Sequence, residues 1–235
     1  MELQMQTTSL ANLLNYFTNA EWRGEFLPSR QKSDAIRYFV PYFTDQGPYL
    51  GFSIPDDDFE EGLRLFTGER IRSRLGVHSI LGLEIARSLA ILDGFQLHSG
   101  YILDRVNQRV QDKCYARDFC VMGECSYCAL TFWRYLLAAH WPDGVQRIES
   151  YLATLKNARD GSGRWHNFPF YYTLFVLLET DLPAARAELA YARAACSRSL
   201  SANNISQPYL ERRKKLMESA LNYQEVSSMQ VPLGV

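Results

Sequence analysis

The residues best suited to chemistry are four cysteines that fall within 15 consecutive positions of the 235-residue chain. They are Cys114, Cys120, Cys125 and Cys128, separated by five, four and two intervening residues. A Cys-x2-Cys pair presents two sulfurs on one turn, and thiolates are preferred ligands of zinc. The cluster therefore predicts a zinc site, which would be structural because four protein ligands leave no open coordination position.

Other interpretations of the same cysteines stay open at the level of the sequence. Cys128 is also typical of a small buried residue in a helix, with Cys114 and Cys120 as loop thiols. An iron–sulfur cluster would use the same ligands. The gap between Cys114 and Cys120 is longer than in common zinc knuckles, and no second Cys-x2-Cys pair follows. His140 and His166 are therefore kept as replacement ligands.

Aromatic side chains form a second group that could bind a ligand. Seven of them are predicted to line an apolar cavity: Tyr127, Trp133, Trp165, Phe170, Tyr171, Tyr172 and Phe175. Such rings offer an apolar wall and cation–π partners for a developing positive charge, as the chemistry of an isoprenoid ligand requires. The alternative is that the rings fill the core of a helical protein. A continuous cavity of several hundred Å3 with converging polar groups would distinguish the two.

Two runs of charged residues have alternative chemical meanings. The acidic run Asp56-Asp57-Asp58-Phe59-Glu60-Glu61 contains the Asp-Asp-x-x-Glu spacing that can hold magnesium and diphosphate. It also fits the capped first turn of a helix, and no second acidic cluster accompanies it in the sequence. The basic run Arg212-Arg213-Lys214-Lys215 predicts a solvated helix face, because successive residues point in different directions around a helix.

The elements that must position these residues are predicted to be helical. Ser9 is expected to cap a first helix and Ser33 a second, and a third helix is expected to run from the acidic run to position 66. Apolar stripes at helical spacing predict further helices at 80–93, 101–110, 125–139, 145–155, 169–179, 183–196 and 206–221. The segment 43–55 is expected to be a loop with a short extended piece at 49–54. Since no segment shows sustained strand alternation, the predicted fold class is all-α.

Three strongly apolar helices recur at a nearly constant interval. They begin near Leu83, Cys128 and Tyr172, which are 45 and 44 residues apart, an interval that suits two helices and two loops. Because the helix after each has a more polar face, the pattern predicts an inner and an outer layer. The inner layer comprises 80–93, 125–139 and 169–179. Three parts are predicted along the chain: an N-terminal helical segment and loop at 1–75, helical repeats at 76–225 and a flexible tail at 226–235.

Two stretches resemble the α/α-toroid repeats of protein prenyltransferase β subunits and terpene cyclases. Residues 122–130, Met-Gly-Glu-Cys-Ser-Tyr-Cys-Ala-Leu, are similar to the Gly-Glu…Tyr-Cys-Ala that opens an inner helix in prenyltransferases. Residues 160–165, Asp-Gly-Ser-Gly-Arg-Trp, and the following Phe-Tyr-Tyr-Thr at 170–173 are similar to that family's Asp-Gly-x-Trp loop and next inner helix. The resemblance covers about residues 80–200. It implies a barrel of about five to seven helical hairpins around an aromatic cavity. This chain would supply about three or four of them, as a toroid that is either partial or closed by another chain.

Departures from this family bear on activity. Its cyclases protonate their substrates with an Asp-x-Asp-Asp motif, and the comparable run here, at 56–58, lies outside the repeats. Its prenyltransferases hold catalytic zinc with an Asp, a Cys and a His. Tyr172 stands where the resemblance puts the His, and Gly123-Glu124-Cys125 keeps only the Cys. The resemblance therefore implies the fold and the cavity but not the family's catalytic zinc.

Composition and charge exclude several classes of protein. With 25 Lys plus Arg against 26 Asp plus Glu, the net charge of −1 gives no field that would attract nucleic acid. The apolar runs are shorter than the roughly 20 residues of a membrane helix, so no transmembrane segment is expected. The N-terminus lacks the basic and apolar parts of a secretory signal, which predicts a cytoplasmic location. Motifs for nucleotide binding and serine hydrolysis are absent from the sequence.

Two functional hypotheses follow. The first is a helical-repeat binding or scaffold protein with a partial toroid and a structural zinc. The second is an enzyme or carrier that acts on an isoprenoid or another apolar ligand in the aromatic cavity. The expected partner is accordingly another protein chain or an apolar small molecule. Because the acid and metal-ligand motifs of the resembled enzymes are missing, the scaffold is favoured.

Overall fold

The computed structural model describes residues 9–47, 49–55, 62–94, 96–201 and 209–223. Within these residues the chain is mostly helical, with ten α-helices and two small β-hairpins. The helices are α1 (Leu10–Trp22), α2 (Ser29–Phe39), α3 (Arg74–Leu92), α4 (Leu97–Val110), α5 (Cys114–Arg117), α6 (Cys125–Ala139), α7 (Gly144–Asn157), α8 (Phe170–Leu178), α9 (Pro183–Ser201) and α10 (Leu210–Asn222). The strands are β1 (Phe43–Gly47), β2 (Gly51–Phe52), β3 (Leu63–Arg64) and β4 (Arg70–Ile71), and a 3-10 helix, Val40–Tyr42, precedes β1.

The first two helices test the predicted N-terminal caps. Ser9 caps α1 as expected, since its hydroxyl accepts a hydrogen bond from the backbone N–H three residues later at 3.3 Å. Ser33 does not cap α2, because this helix already begins at Ser29, directly after Pro28. A proline suits a helix start, where its fixed φ is helical and its missing N–H would have no partner. The helix ends before Pro41, as this second proline predicts.

Two antiparallel hairpins correct the all-α prediction. Strand β1 pairs with β2, which lies within the extended piece expected at 49–54. Strand β3 pairs with β4, so Leu63 opposes Ile71, and the third helix predicted to reach position 66 is wrong from residue 63 onward. Gly68, at φ +90°, lets the chain reverse between these strands in a conformation that side chains disfavour. The acidic start of that predicted helix, 56–61, lies outside the described residues.

Helices α3, α6 and α8 form the most buried layer of the protein. Every residue from 76 to 90 of α3 is buried, and most of α6 and α8 is buried as well. Helix α6 packs against both α3 and α8. Each inner helix is followed by a second helix, α4, α7 or α9, that packs back onto it. The helices predicted at 80–93, 125–139 and 169–179 are confirmed as buried helices.

The repeat is less regular than the sequence suggested. The inner helices begin at Arg74, Cys125 and Phe170, which are 51 and 45 residues apart, because α3 extends further towards the N-terminus than its apolar stripe indicated. Helices α1 and α2 pack against α3, and α10 packs against α8 and α9. The described parts of the predicted segments 1–75 and 76–225 thus share one hydrophobic core. The described helices do not show a toroid, and the predicted tail lies outside the described residues.

One described helix, α3, is long and apolar enough to cross a membrane. Of its most apolar 18-residue window, 83% is buried inside the protein. The core helix of a soluble protein has the same length and composition, so this feature is weak evidence for a membrane span.

Candidate metal centre

The loop between α4 and α6 is fixed by three side chains that enter the core, namely Tyr115, Ala116 and Phe119. The Tyr151 hydroxyl of α7 donates a hydrogen bond to the Ala116 carbonyl at 2.6 Å, and the Tyr151 ring stacks on Phe119 at 4.2 Å. Cys114 begins α5 beside this buried anchor and is itself exposed. The loop therefore has a defined course around a solvent-accessible thiol.

Glu124 connects the start of α6 to the start of α3. Its carboxylate accepts hydrogen bonds from the Arg72 N–H at 2.6 Å, from the Ser73 N–H at 2.9 Å and from the Ser73 hydroxyl. A carboxylate is stabilised there because the free N–H groups and the dipole of α3 both favour negative charge. Cys125 follows as the first residue of α6, so these bonds fix its backbone. Sequence reasoning used Glu124 only within a resemblance and missed this contact.

Three of the four predicted ligands come together. The Sγ atoms of Cys114, Cys120 and Cys125 all lie within 4.8 Å of one another, and those of Cys114 and Cys125 are 3.9 Å apart. Zn–S bonds of about 2.3 Å at tetrahedral angles place two sulfurs about 3.8 Å apart. The Cys120 N–H donates to the Cys114 carbonyl at 3.3 Å, which closes the loop that brings these two thiols together. The spacing is therefore close to that of a tetrahedral thiolate site.

The protonation state of the cluster depends on what it binds. Burial, together with the hydrogen bond and the charge of Cys114, raises the pKa of the Cys125 thiol to about 12. A thiol with that pKa is protonated at neutral pH, and it ionises readily only when a cation compensates the charge of the thiolate. The cluster can thus exchange its protons for a metal ion, which makes binding pH-dependent.

Cys128 is not a member of this group of three. It lies one helical turn beyond Cys125 on α6 and is 2% exposed. Burial raises the pKa of its thiol. Its role as a fourth ligand stays a prediction, and the alternative of a small core residue agrees with its burial.

The suggested replacement ligands lie outside the group as well. His140 follows the last residue of α6, roughly 22 Å along the helix axis from Cys125 at 1.5 Å per residue. His166 lies in the segment between α7 and α8. Neither histidine belongs to the group of possible metal ligands that the three cysteines form.

The seven aromatic residues predicted to bind an apolar ligand are distributed through the core. Five of them are buried, namely Trp133, Trp165, Phe170, Tyr172 and Phe175, while Tyr127 and Tyr171 are half-buried. The Trp165 indole N–H donates to Glu188 at 2.8 Å. The Arg134 guanidinium lies 4.4 Å from the centroid of the Phe175 ring, so the protein itself supplies the cation that a ligand was expected to bring.

Tyr172, which stands where the resemblance puts a histidine ligand, forms hydrogen bonds inside the core. Its hydroxyl lies 3.0 Å from the Thr131 hydroxyl and donates to Glu84 at 3.1 Å. Burial, followed by the negative charge of Glu84, raises the pKa of this phenol. The residue therefore serves as a neutral hydrogen-bonding group inside the core.

Two cavities bear on the expected aromatic site. The first, of about 30 Å3, has Glu84 and Tyr172 in its lining, and it has room for about one water molecule. The second is an open groove of about 350 Å3 between α1 and α10, and none of the seven predicted residues lines it. Neither of these two spaces is the aromatic cavity of several hundred Å3 that a carrier or enzyme for apolar ligands requires.

Charged residues that sequence reasoning missed meet among the inner helices. Arg134 of α6 is fully buried and pairs with Glu84 of α3 at 2.5 Å and with Glu179, just after α8, at 2.7 Å. Arg87 of α3 pairs with Glu179 at 3.4 Å and with Glu21 of α1 at 2.8 Å. The signal was available, because these are ionisable residues in or beside nearly apolar helices.

The Asp-Gly-Ser-Gly loop after α7 is held by its own aspartate. The Asp160 carboxylate accepts hydrogen bonds from the N–H groups of Ser162 and Arg164 and from the Tyr191 hydroxyl. Burial raises the pKa of Asp160, but these bonds together outweigh it and lower the pKa to about 2. The motif that carried part of the resemblance thus stabilises a turn.

Protein-family models, curated proteins and solved structures were compared with the chain, and none of them matches it. The resemblance to prenyltransferase and cyclase repeats, carried by residues 122–130 and 160–173, stays a prediction. Function is therefore inferred from the three sulfurs and their surroundings.

Proposed function

We propose that this protein is a helical scaffold that holds one zinc ion through Cys114, Cys120 and Cys125. The observation that carries the proposal is the convergence of these three sulfurs within 4.8 Å of one another. The thiols come from the start of α5, the loop after it and the start of α6. A zinc ion bound there would connect these segments, because each thiolate would be fixed to the same point.

The proposed site has three protein ligands and one position that faces solvent. Cys114 is exposed, while Cys128 is buried and is not one of the three converging cysteines. The fourth position of a tetrahedral zinc would accordingly take water or a donor from a partner. This differs from the closed four-cysteine site that the sequence predicts.

A scaffold is favoured over an enzyme or carrier for an isoprenoid by what surrounds the predicted aromatic residues. The rings pack against one another and against Arg134, and the cavity beside Tyr172 has a volume of about 30 Å3. Glu124, the nearest carboxylate in sequence to Cys125, is engaged by three donors of the α3 start. These three bonds engage Glu124, so its carboxylate is not free to transfer protons at the sulfurs.

The three helix pairs α3/α4, α6/α7 and α8/α9 are proposed to be repeats of one toroid-like unit, each with an inner and an outer helix. Their order and packing agree with that idea. A scaffold of this kind acts by binding another protein chain. The proposed compartment is the cytoplasm, where reduced thiols persist.

The proposal is tested by titrating the protein with Co2+ and then displacing it with Zn2+. Thiolate ligation gives cobalt a charge-transfer absorption, so one equivalent of Co2+ should produce it and Zn2+ should remove it. Cys125→Ser should weaken zinc binding by about 100-fold or more, because one of three ligands is lost. Cys196→Ser, at a buried cysteine of α9 outside the group, is the matched control and should bind zinc normally.

The variant Cys128→Ser distinguishes a site with three cysteine ligands from one with four. Zinc affinity within about threefold of the original supports three ligands, whereas a loss like that of Cys125→Ser supports the four-cysteine site. The absence of cobalt absorption in the original protein would contradict both.

A further inference from the structure

A groove of about 350 Å3 separates the end of α1 from the start of α10. Six residues line it: Asn19, Trp22, Arg23, Glu211, Arg212 and Lys215. The volume falls within the range of about 300–1,000 Å3 that is usual for small-molecule sites. The groove is separate from the cysteine cluster and shares no residue with it.

The lining of the groove carries an excess of two positive charges. Arg23, Arg212 and Lys215 face one carboxylate, that of Glu211. Arg23 also lies 3.6 Å from Glu25, in a pair that is half exposed on both sides and therefore weak. Within the part of the chain that the structure describes, Arg212 and Lys215 form no ion pair. The groove thus carries two positive charges that its own lining residues do not neutralise.

Arg212 is held rigidly, in contrast to the solvated face expected for the basic run. Its guanidinium lies 4.4 Å from the centroid of the Phe66 ring and donates one hydrogen bond to the Phe66 carbonyl at 3.0 Å. Arg213 is anchored in the same way, on the Thr67 carbonyl at 2.7 Å. Burial lowers the pKa of Arg212, Tyr209 opposes this effect, and the positive charge of Arg23 adds to it. A bound anion would favour the charged guanidinium, and the remaining donors of Arg212 are already oriented.

Trp22 adds an apolar surface to this charged groove. It is half-buried, with its ring edge-on to Phe175 at 5.3 Å. The ammonium of Lys215 lies 6.0 Å from the ring centroid. A planar group bound against Trp22 would therefore lie next to the cations that bind an anion.

We propose that this groove binds a small phosphate monoester with a planar aromatic group, the dianionic phosphate between Arg23, Arg212 and Lys215 and the ring against Trp22. A phosphate dianion matches the excess of two charges, whereas a carboxylate matches only half of it. The volume of about 350 Å3 suits a molecule of this size.

The test is calorimetric titration with phenyl phosphate and with inorganic phosphate at low ionic strength, where charge interactions are least screened. Phenyl phosphate should bind with a stoichiometry of one and about fivefold or more tighter than inorganic phosphate, because of the ring. Arg23→Gln and Lys215→Gln should each weaken phenyl phosphate about fivefold, and Glu211→Gln should strengthen it, since that variant removes the opposing charge.

Lys214→Gln is the matched control, because it removes the same charge from an exposed neighbour that does not line the groove. It should change the affinity less than about twofold. Trp22→Leu should abolish the advantage of phenyl phosphate while the affinity for inorganic phosphate stays the same, a result that a misfolded variant would not give. The proposal is overturned if phenyl phosphate shows no saturable binding, if the ring gives no advantage, or if Lys214→Gln weakens binding as much as Lys215→Gln.

Discussion

Two regions of the helices α3 and α6 differ in how their polar side chains are paired: the middle of the helices and their N-terminal ends. In the middle, Arg134 and Arg87 are buried together with carboxylates that neutralise them. At the ends, three thiols converge, and Arg117, which interacts with Cys114, is already paired with Asp118. Both are clusters of polar groups, but the charges of the first are paired within the protein, whereas the thiols of the second need a bound cation to ionise. Polar side chains that converge do not by themselves identify a binding site. A site is indicated where the protein does not itself supply the opposite charge that the converging groups need.

The largest expected effect comes from the compensated region. Arg134→Met should lower the free energy of unfolding by about 3–5 kcal/mol, because Glu84 and Glu179 would be left buried with a lost partner. Urea unfolding monitored by circular dichroism measures this difference. Arg117→Met is the control, since the Arg117–Asp118 pair is largely exposed and should contribute at most about 1 kcal/mol. Equal losses in the two variants would remove the distinction between the regions.

A smaller effect is expected where the cysteine cluster joins α3. Glu124→Gln should cost about 1–2 kcal/mol of stability, since a charge that caps a helix start is lost. Zinc should also bind about tenfold more weakly, because Cys125 loses the contact that fixes its backbone. The exposed Glu149 of α7 provides the control, and Glu149→Gln should leave both quantities unchanged. If zinc affinity stays normal in Glu124→Gln, the contact does not position Cys125.

The pH dependence of stability should contain a contribution from the compensated region. Burial raises the pKa of Glu179, but the positive charges of Arg134 and Arg87 outweigh it and leave the folded pKa below the usual value of 4.5. A lowered folded pKa means that the stabilisation is complete above the unfolded pKa and is lost as the pH falls below about 4.5. The free energy of unfolding should therefore decline from pH 6 to about pH 3. Glu179→Gln should make this decline less steep, by at most about 1.4 kcal/mol per pH unit. An identical slope in the variant would contradict the assigned pairing.

Local signals explain which parts of this fold could be predicted. Helix α6 runs over 125–139 as its apolar pattern indicates, and Ser9 caps α1, because short-range spacing decides both. The β3–β4 hairpin was missed because its stability depends on pairing between strands rather than on the apolar spacing of one segment.

The site was only partly predictable for a similar reason. The density of cysteines in sequence pointed to three residues that do converge, since they lie within one short loop and one helix start. The contact of Glu124 with Ser73, 51 residues away, and the pairing of Arg134 with Glu84, 50 residues away, depend on how α3 packs against α6. No pattern within a single segment encodes such distances. The burial of Cys128 is likewise a result of packing.

The central claim is that the uncompensated cluster binds a metal, and metal analysis of the protein purified without a histidine tag tests it most directly. About one zinc per chain is expected for the original protein and for Cys128→Ser, and less than about 0.2 for Cys125→Ser. In the zinc-bound protein, Cys114, Cys120 and Cys125 should resist alkylation until a chelator is added. Less than about 0.2 zinc in the original protein, with all three thiols alkylated freely in the folded state, would contradict the account.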